Sequence, residues 1–139
     1  MKKSELYEFA ISLFGLPYVW GGNGPLSFDC SGLVQHILKF AQIDPLGDQT
    51  ALTLYQAFVS SPKERGFGAL AFYGSSEERI HHVGFCIDEH IMLNASGGGR
   101  NVINIQRAKE LGASVKIEPI NWRKDLFAVI MPQYNLKGI

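Results

Sequence analysis

Near residue 60 the chain changes its period, and that change most narrows the folds open to it. Before it, apolar residues recur at helical spacing; after it, they come in short runs of strand formers. A helix is expected over 3–14, with Leu6, Phe9, Ala10, Leu13 and Phe14 on one face, ended by Gly15 and Pro17. A second runs from about Cys30 to Ala41, with Leu33, Val34, Ile37 and Leu38 at helical spacing and Asp44-Pro45 as its stop. A third covers 50–60. Strands are expected at 68–74, 81–88, 90–96, 101–105 and 126–131, while 107–112 reads as one helical turn or an irregular loop. Helices followed by strands imply an α+β domain with an antiparallel sheet. With 139 residues and no repeat or linker, a single domain spanning 1–139 is expected, long enough to bury a core.

Charge removes some functions. Thirteen basic and thirteen acidic residues cancel, so the basic excess of a nucleic-acid binder is missing. No apolar run approaches the roughly 18 residues that span a bilayer. The opening "MKKSELYEFAISLFGLPYVW" carries lysines, as a secretory signal does, but Glu5 and Glu8 interrupt its apolar stretch and no small-residue cleavage site follows. The expectation is synthesis in the cytoplasm without an export signal of its own.

Two cysteines, Cys30 and Cys86, form neither a CxxC pair nor a disulfide framework. A zinc site from Cys86, His82 and His90 lacks a fourth ligand at any recognisable spacing, and Cys86 reads as a small core residue. "GGNG" at 21–24 lacks the Lys-Ser/Thr of a phosphate loop and reads as a loop that lets a substrate lie close to the backbone. Trp20 and Trp122 are expected in the core or lining a groove.

In "FDCSGLVQ" (28–35), Asp29 stands where an N-cap would, able to accept the N–H of residue 31 or 32. Cys30 then occupies the first helical turn, where the helix dipole favours a thiolate and free N–H groups can hold an oxyanion. Gly32 would let a substrate approach the backbone. On local context alone, nucleophile and buried apolar filler stand level. A hydrolytic thiol needs a base and a group to orient it. His36 lies too far along the helix. His81 and His82 are adjacent in one strand and point to opposite faces, one toward solvent and the other toward the helical layer. In a hairpin turning at Asp88, His82 lies directly opposite Asn94, with Cβ atoms roughly 4.5–5.5 Å apart. Asn94 then fixes the imidazole tautomer; a one-residue slip would flip it to the other face. Taken singly, His82 and Asn94 each read more readily as structural polar residues than as catalytic ones.

Together these residues resemble the NlpC-type (NlpC/p60) cell-wall cysteine peptidases, a papain-like superfamily. "PYVWGG" at 17–22, "FDCSGL" at 28–33, "HVGF" at 82–85 and "LNAS" at 93–96 follow the family's order and spacing across about residues 5–100. The resemblance implies a papain-like α+β fold with the nucleophile helix packed on an antiparallel sheet. It implies Cys30 as nucleophile, His82 as general base and then acid, and Asn94 as the orienting residue, where many members carry a second His. Tyr18 matches a tyrosine over the active site that aids oxyanion or substrate contacts. Asp29 and Ser31 match positions that contact the substrate's free amino end. The implied reaction is hydrolysis of peptide bonds in peptidoglycan stems, often from D-γ-glutamate to a diamino acid, with no metal or organic cofactor. "GALAFY" (68–73) departs from the usual Gly-Asp-Leu-Val-Phe-Phe, losing a turn contact. The segment 97–122 is less familiar and is expected to carry substrate preference. Two other readings are a wall-binding or phage-tail assembly module of low activity, and a thiol acyltransferase or amidase of the same fold. Delivery by a phage lysis or tail apparatus, and recycling of wall peptides in the cytoplasm, both fit.

Overall fold

A computed structural model describes residues 1–138. In chain order the elements are α1 (Lys3–Ser12), α2 (Cys30–Phe40), α3 (Ala51–Phe58), β1 (Leu70–Gly74), β2 (Ile80–Cys86) and β3 (Ile91–Ser96). They continue with α4 (Ile105–Leu111), β4 (Ser114–Pro119), a 3₁₀ turn over Ile120–Trp122, and β5 (Leu126–Ile130). The strands pair antiparallel in the order β4-β3-β2-β1-β5. The architecture is α+β.

The helical layer covers one face of this sheet. Leu33, Val34, Ile37 and Leu38 of α2, with Leu54 of α3, meet Leu70, Phe72, Val83, Phe85 and Leu93 in the main core, all fully buried. α1 contributes Leu6 and Ala10 to that core. Phe14, expected on its buried face, is 56% exposed because the helix ends at Ser12, before it. A smaller cluster lies on the opposite face of the sheet, where Ala71, Tyr73, Cys86, Met92 and Ile120 pack. Cys86 is thus a core residue. Tyr73 closes this cluster by donating its hydroxyl to the Ile120 carbonyl at 2.8 Å.

After residue 96 one expectation is corrected and one open alternative is decided. Residues 101–105 form no strand. Val102 is buried and its carbonyl accepts from Trp20 N, while Ile103 is 72% exposed; Asn104 then caps α4 through the N–H of Arg107 at 2.8 Å. The segment 107–112 belongs to that helix, which Gly112 ends in the left-handed conformation at φ 66°. The fifth strand is instead β4, which pairs with β3 along its whole length. The hairpin register also differs from the one expected. Phe85 pairs with Leu93 and Cys86 with Met92, so the turn centres on Glu89 rather than Asp88. Asp88 sets that turn, its carboxylate accepting the N–H groups of His90 (2.7 Å) and Ile91 (2.9 Å). The slip is two residues, so each side chain keeps its face.

The α2 start is built as expected. Asp29 Oδ1 accepts the Gly32 N–H at 2.7 Å, and Oδ2 accepts the Gly21 N–H at 3.2 Å. Gly32 does not open the backbone to substrate. It packs against the glycine loop, where an added Cβ would run into the Gly22 carbonyl oxygen and Asn23 Cα. Gly32→Ala is therefore expected to cost roughly 2 kcal/mol, lowering Tm by roughly 5–10 °C. Thermal melts check this; a variant melting within about one degree of wild type would contradict the packing account.

Candidate active site

A cleft of about 420 Å³ opens where the start of α2 meets the start of β2. Tyr18, Asp29, Cys30, Ser31 and His82 line it, and Trp20 and Trp122, each about half exposed, stand on its walls. Five of the six expected site residues therefore share one cavity. The sixth, Asn94, is fully buried behind it, and its Oδ1 meets His82 Nε2 at 2.8 Å.

The His82–Asn94 contact is diagonal, not directly cross-strand, because of the two-residue slip. Continuing the β2–β3 register sets Asn94 opposite Gly84, whose missing side chain leaves room: an added Cβ would sit 3.2 Å from that of Asn94. His82 pairs with Tyr73 across β1 and packs on its ring, centroids 5.5 Å apart. It thus lies on the face of the smaller cluster, and the helical layer covers the other face, contrary to expectation. A register shift between Tyr73 and Gly74 turns the strand there. His81 faces solvent as expected and reaches Asp125 at 3.1 Å; that carboxylate also holds Arg123 in two contacts of 3.0 Å.

Cys30 sits against the β2 backbone, its nearest polar contact the His81 carbonyl at 4.0 Å. Among the described residues no hydrogen bond joins its sulfur to His82; the two share the cleft without touching through one. The N–H groups of Cys30 and Ser31 open α2, have no carbonyl partner within it, and lie at the sulfur together with that of Val83. Ser31 also donates its hydroxyl to Asp29 Oδ1 at 3.3 Å, tightening the cap. His36 is held elsewhere, between the rings of Phe9 and Phe28.

Residues 15–118 match the NlpC/P60 family. The chain belongs to that family.

Among similar proteins is the probable endopeptidase p60 of Listeria grayi, 33% identical over 104 residues, which are 73% of this chain and 20% of that protein. The bifunctional muramidase/DL-endopeptidase CwlT of Bacillus subtilis (strain 168) is 38% identical over 103 residues, 71% of this chain and 29% of its own length. The chain thus spans less than a third of these relatives. The NlpC/p60 domain of the peptidoglycan hydrolase SagA superposes with a TM-score of 0.67 at 21% identity, covering 95% of this chain and all of that one. At that identity the likeness speaks for the fold, which is the one expected.

Charge within this NlpC/P60 cleft runs against one expectation. Although Cys30 reaches solvent, its thiol is packed round, and burial pushes it up to about 11; the Asp29 carboxylate adds to this, and the N–H groups of Val83, Ser31 and Cys30 offset only part. Desolvation outweighs the helix start, so the thiol is not lowered. Burial likewise takes His82 down to about 4, opposed by the Asn94 bond and assisted by Arg123 and His81. Tyr18 rises to about 12, through burial and then the charges of Cys30 and Asp29, and so keeps its phenolic proton for donation. The resting pair is neutral thiol and neutral imidazole. Only the thiolate is alkylated readily, so iodoacetamide labelling of Cys30 in the free protein is expected to rise about tenfold per pH unit from pH 7 to 9. A rate already level across that range would mean a stabilised thiolate.

Glu118 was not foreseen. Its Oε1 accepts from Asn94 Nδ2 at 3.0 Å and from Ser96 Oγ at 2.8 Å. Finding it required reading 114–119 as a strand; the signal was the alternation that puts Val115 inside, with Lys116 and Glu118 on the other face.

Proposed function

We propose that the chain is a thiol peptidase that cuts peptide bonds in peptidoglycan stem peptides, at the bond from D-γ-glutamate to a diamino acid. The observation that carries this is the His82–Asn94 hydrogen bond, which sets an oriented imidazole in the cleft that holds Cys30. Family membership supports the substrate class, since one relative, LytE of Bacillus subtilis (strain 168), is named a probable peptidoglycan endopeptidase.

The chemistry is acyl transfer. As Cys30 Sγ attacks the scissile carbonyl, its proton passes to His82, because neither group is ionised beforehand. The oxyanion takes hydrogen bonds from N–H groups at the α2 start and from the Tyr18 phenol. His82 then gives the proton to the departing amine. Water, deprotonated by the same ring, attacks the thioester, and the sulfur leaves with that proton. Asp29 lies beside the nucleophile, placed to meet the free ammonium of a short stem. Cys30, His82 and Asn94 carry the reaction, and Tyr18, Asp29 and Ser31 hold the substrate.

The buried, protonated thiol also favours a second reading, a wall-binding module with little turnover. Mass spectrometry of purified stem peptides after incubation separates the two. Wild type is expected to give two fragments that identify the bond, and Cys30→Ala none. Intact peptides with both proteins, alongside measurable binding, would select the module.

A further inference from the structure

Asn94 is a neutral amide, so by itself it lends no charge to an imidazolium. What lies behind it does. Both amide hydrogens of Asn94 are committed to acceptors, one to Glu118 Oε1 at 3.0 Å and one to the Lys116 carbonyl at 3.3 Å. A flipped amide would turn its carbonyl oxygen onto those two acceptors, so Oδ1 must face His82. The network thereby assigns the hydrogen to His82 Nε2 and leaves the lone pair on Nδ1. Ser96 Oγ donates to the same Glu118 oxygen at 2.8 Å and fixes the carboxylate in place. Asn94 pairs with Lys116, and Ser96 with Ser114, across the β3–β4 ladder, so the arrangement rests on strand register rather than on a loop.

We infer that Glu118 is a positioning residue: through Asn94 it holds His82 in the Nε2–H tautomer and supplies the negative charge that the amide lacks for the imidazolium formed in the reaction. This deepens the peptidase reading and rests on it. The other charged groups around the ring do not substitute. Arg123 and His81 are cationic or neutral and disfavour protonation of the ring, while Asp125 is occupied with both of them. Lys116, on β4 itself, sends its ammonium toward Gly97. Glu118 is the neighbouring carboxylate that favours the protonated ring.

The test compares the full chain with Glu118→Gln and Glu118→Ala by two readouts. The first is the ¹⁵N NMR signature of the His82 ring at pH 7, which needs no turnover. Wild type and Glu118→Gln are expected in the Nε2–H form, since the Gln carbonyl oxygen still accepts from Asn94 and Ser96. Glu118→Ala is expected as a tautomer mixture. The second is the pH profile of kcat/KM on stem peptides. Removing the charge in Glu118→Gln is expected to lower the plateau on the order of tenfold, a part of the roughly 10²–10⁴ that base catalysis contributes. KM should stay near wild type, and the acid limb should move to lower pH by roughly half a unit. A wild type that hydrolyses nothing, with the tautomer difference intact, would sink the peptidase reading and leave the positioning of His82 standing. One tautomer in all three proteins, or a Glu118→Gln profile that overlays wild type, would overturn the inference.

Discussion

The hydrogen bond from Gly32 N–H to Asp29 Oδ1 is what the rest of the site depends on. It starts α2 at Cys30, and the second Asp29 oxygen pins the Gly21 N–H of the preceding loop. With Gly32 packed on the Gly22 carbonyl, loop and helix close on each other and the thiol has one place to go, against the backbone of β2. Losing a cap costs about 1 kcal/mol of stability in general. Here it would also displace the Cys30 thiol, so the proposed activity should be more sensitive than stability to this carboxylate.

The cleft stores reactants as neutral species. Burial raises the thiol and lowers the imidazole, and each shift opposes the ion pair that a helix start would otherwise encourage. In the proposed reaction the proton moves as the substrate is attacked, which places weight on the tautomer of His82. The polar chain Asn94–Glu118–Ser96 meets that need with satisfied hydrogen bonds throughout. Tyr18, raised by burial, likewise stays a phenol beside them.

Much of this was legible in the residues. Helical periodicity in the first sixty positions and the strand runs at 68–74, 81–88, 90–96 and 126–131 account for three of the four helices and four of the five strands. The pairing of His82 with Asn94 followed from side-chain alternation, and it survived the wrong register because a slip of two preserves the face. The Asp88 turn explains the slip, since a carboxylate that accepts two N–H groups moves the turn centre by one residue. Residues 101–119 were read poorly for a physical reason. "NVINI" has strand formers but no neighbour to pair with, since Val102 alone is buried there, whereas β4 is a half-exposed edge strand ending in Pro119 whose alternation is weak. The thiol's electrostatics were missed because helix position is local and visible, while desolvation depends on what the whole fold packs around the sulfur.

The central claim is that Cys30 becomes acylated during turnover. The direct measurement is intact-protein mass spectrometry of acid-quenched mixtures of enzyme and stem peptide, taken within the first turnovers, with peptide mapping of the adduct. A mass gain equal to the amino-terminal fragment less water, mapped to the peptide containing Cys30 and absent from Cys30→Ala, is the predicted result. Turnover that continues in Cys30→Ala, with no adduct on wild type at any time, would contradict it.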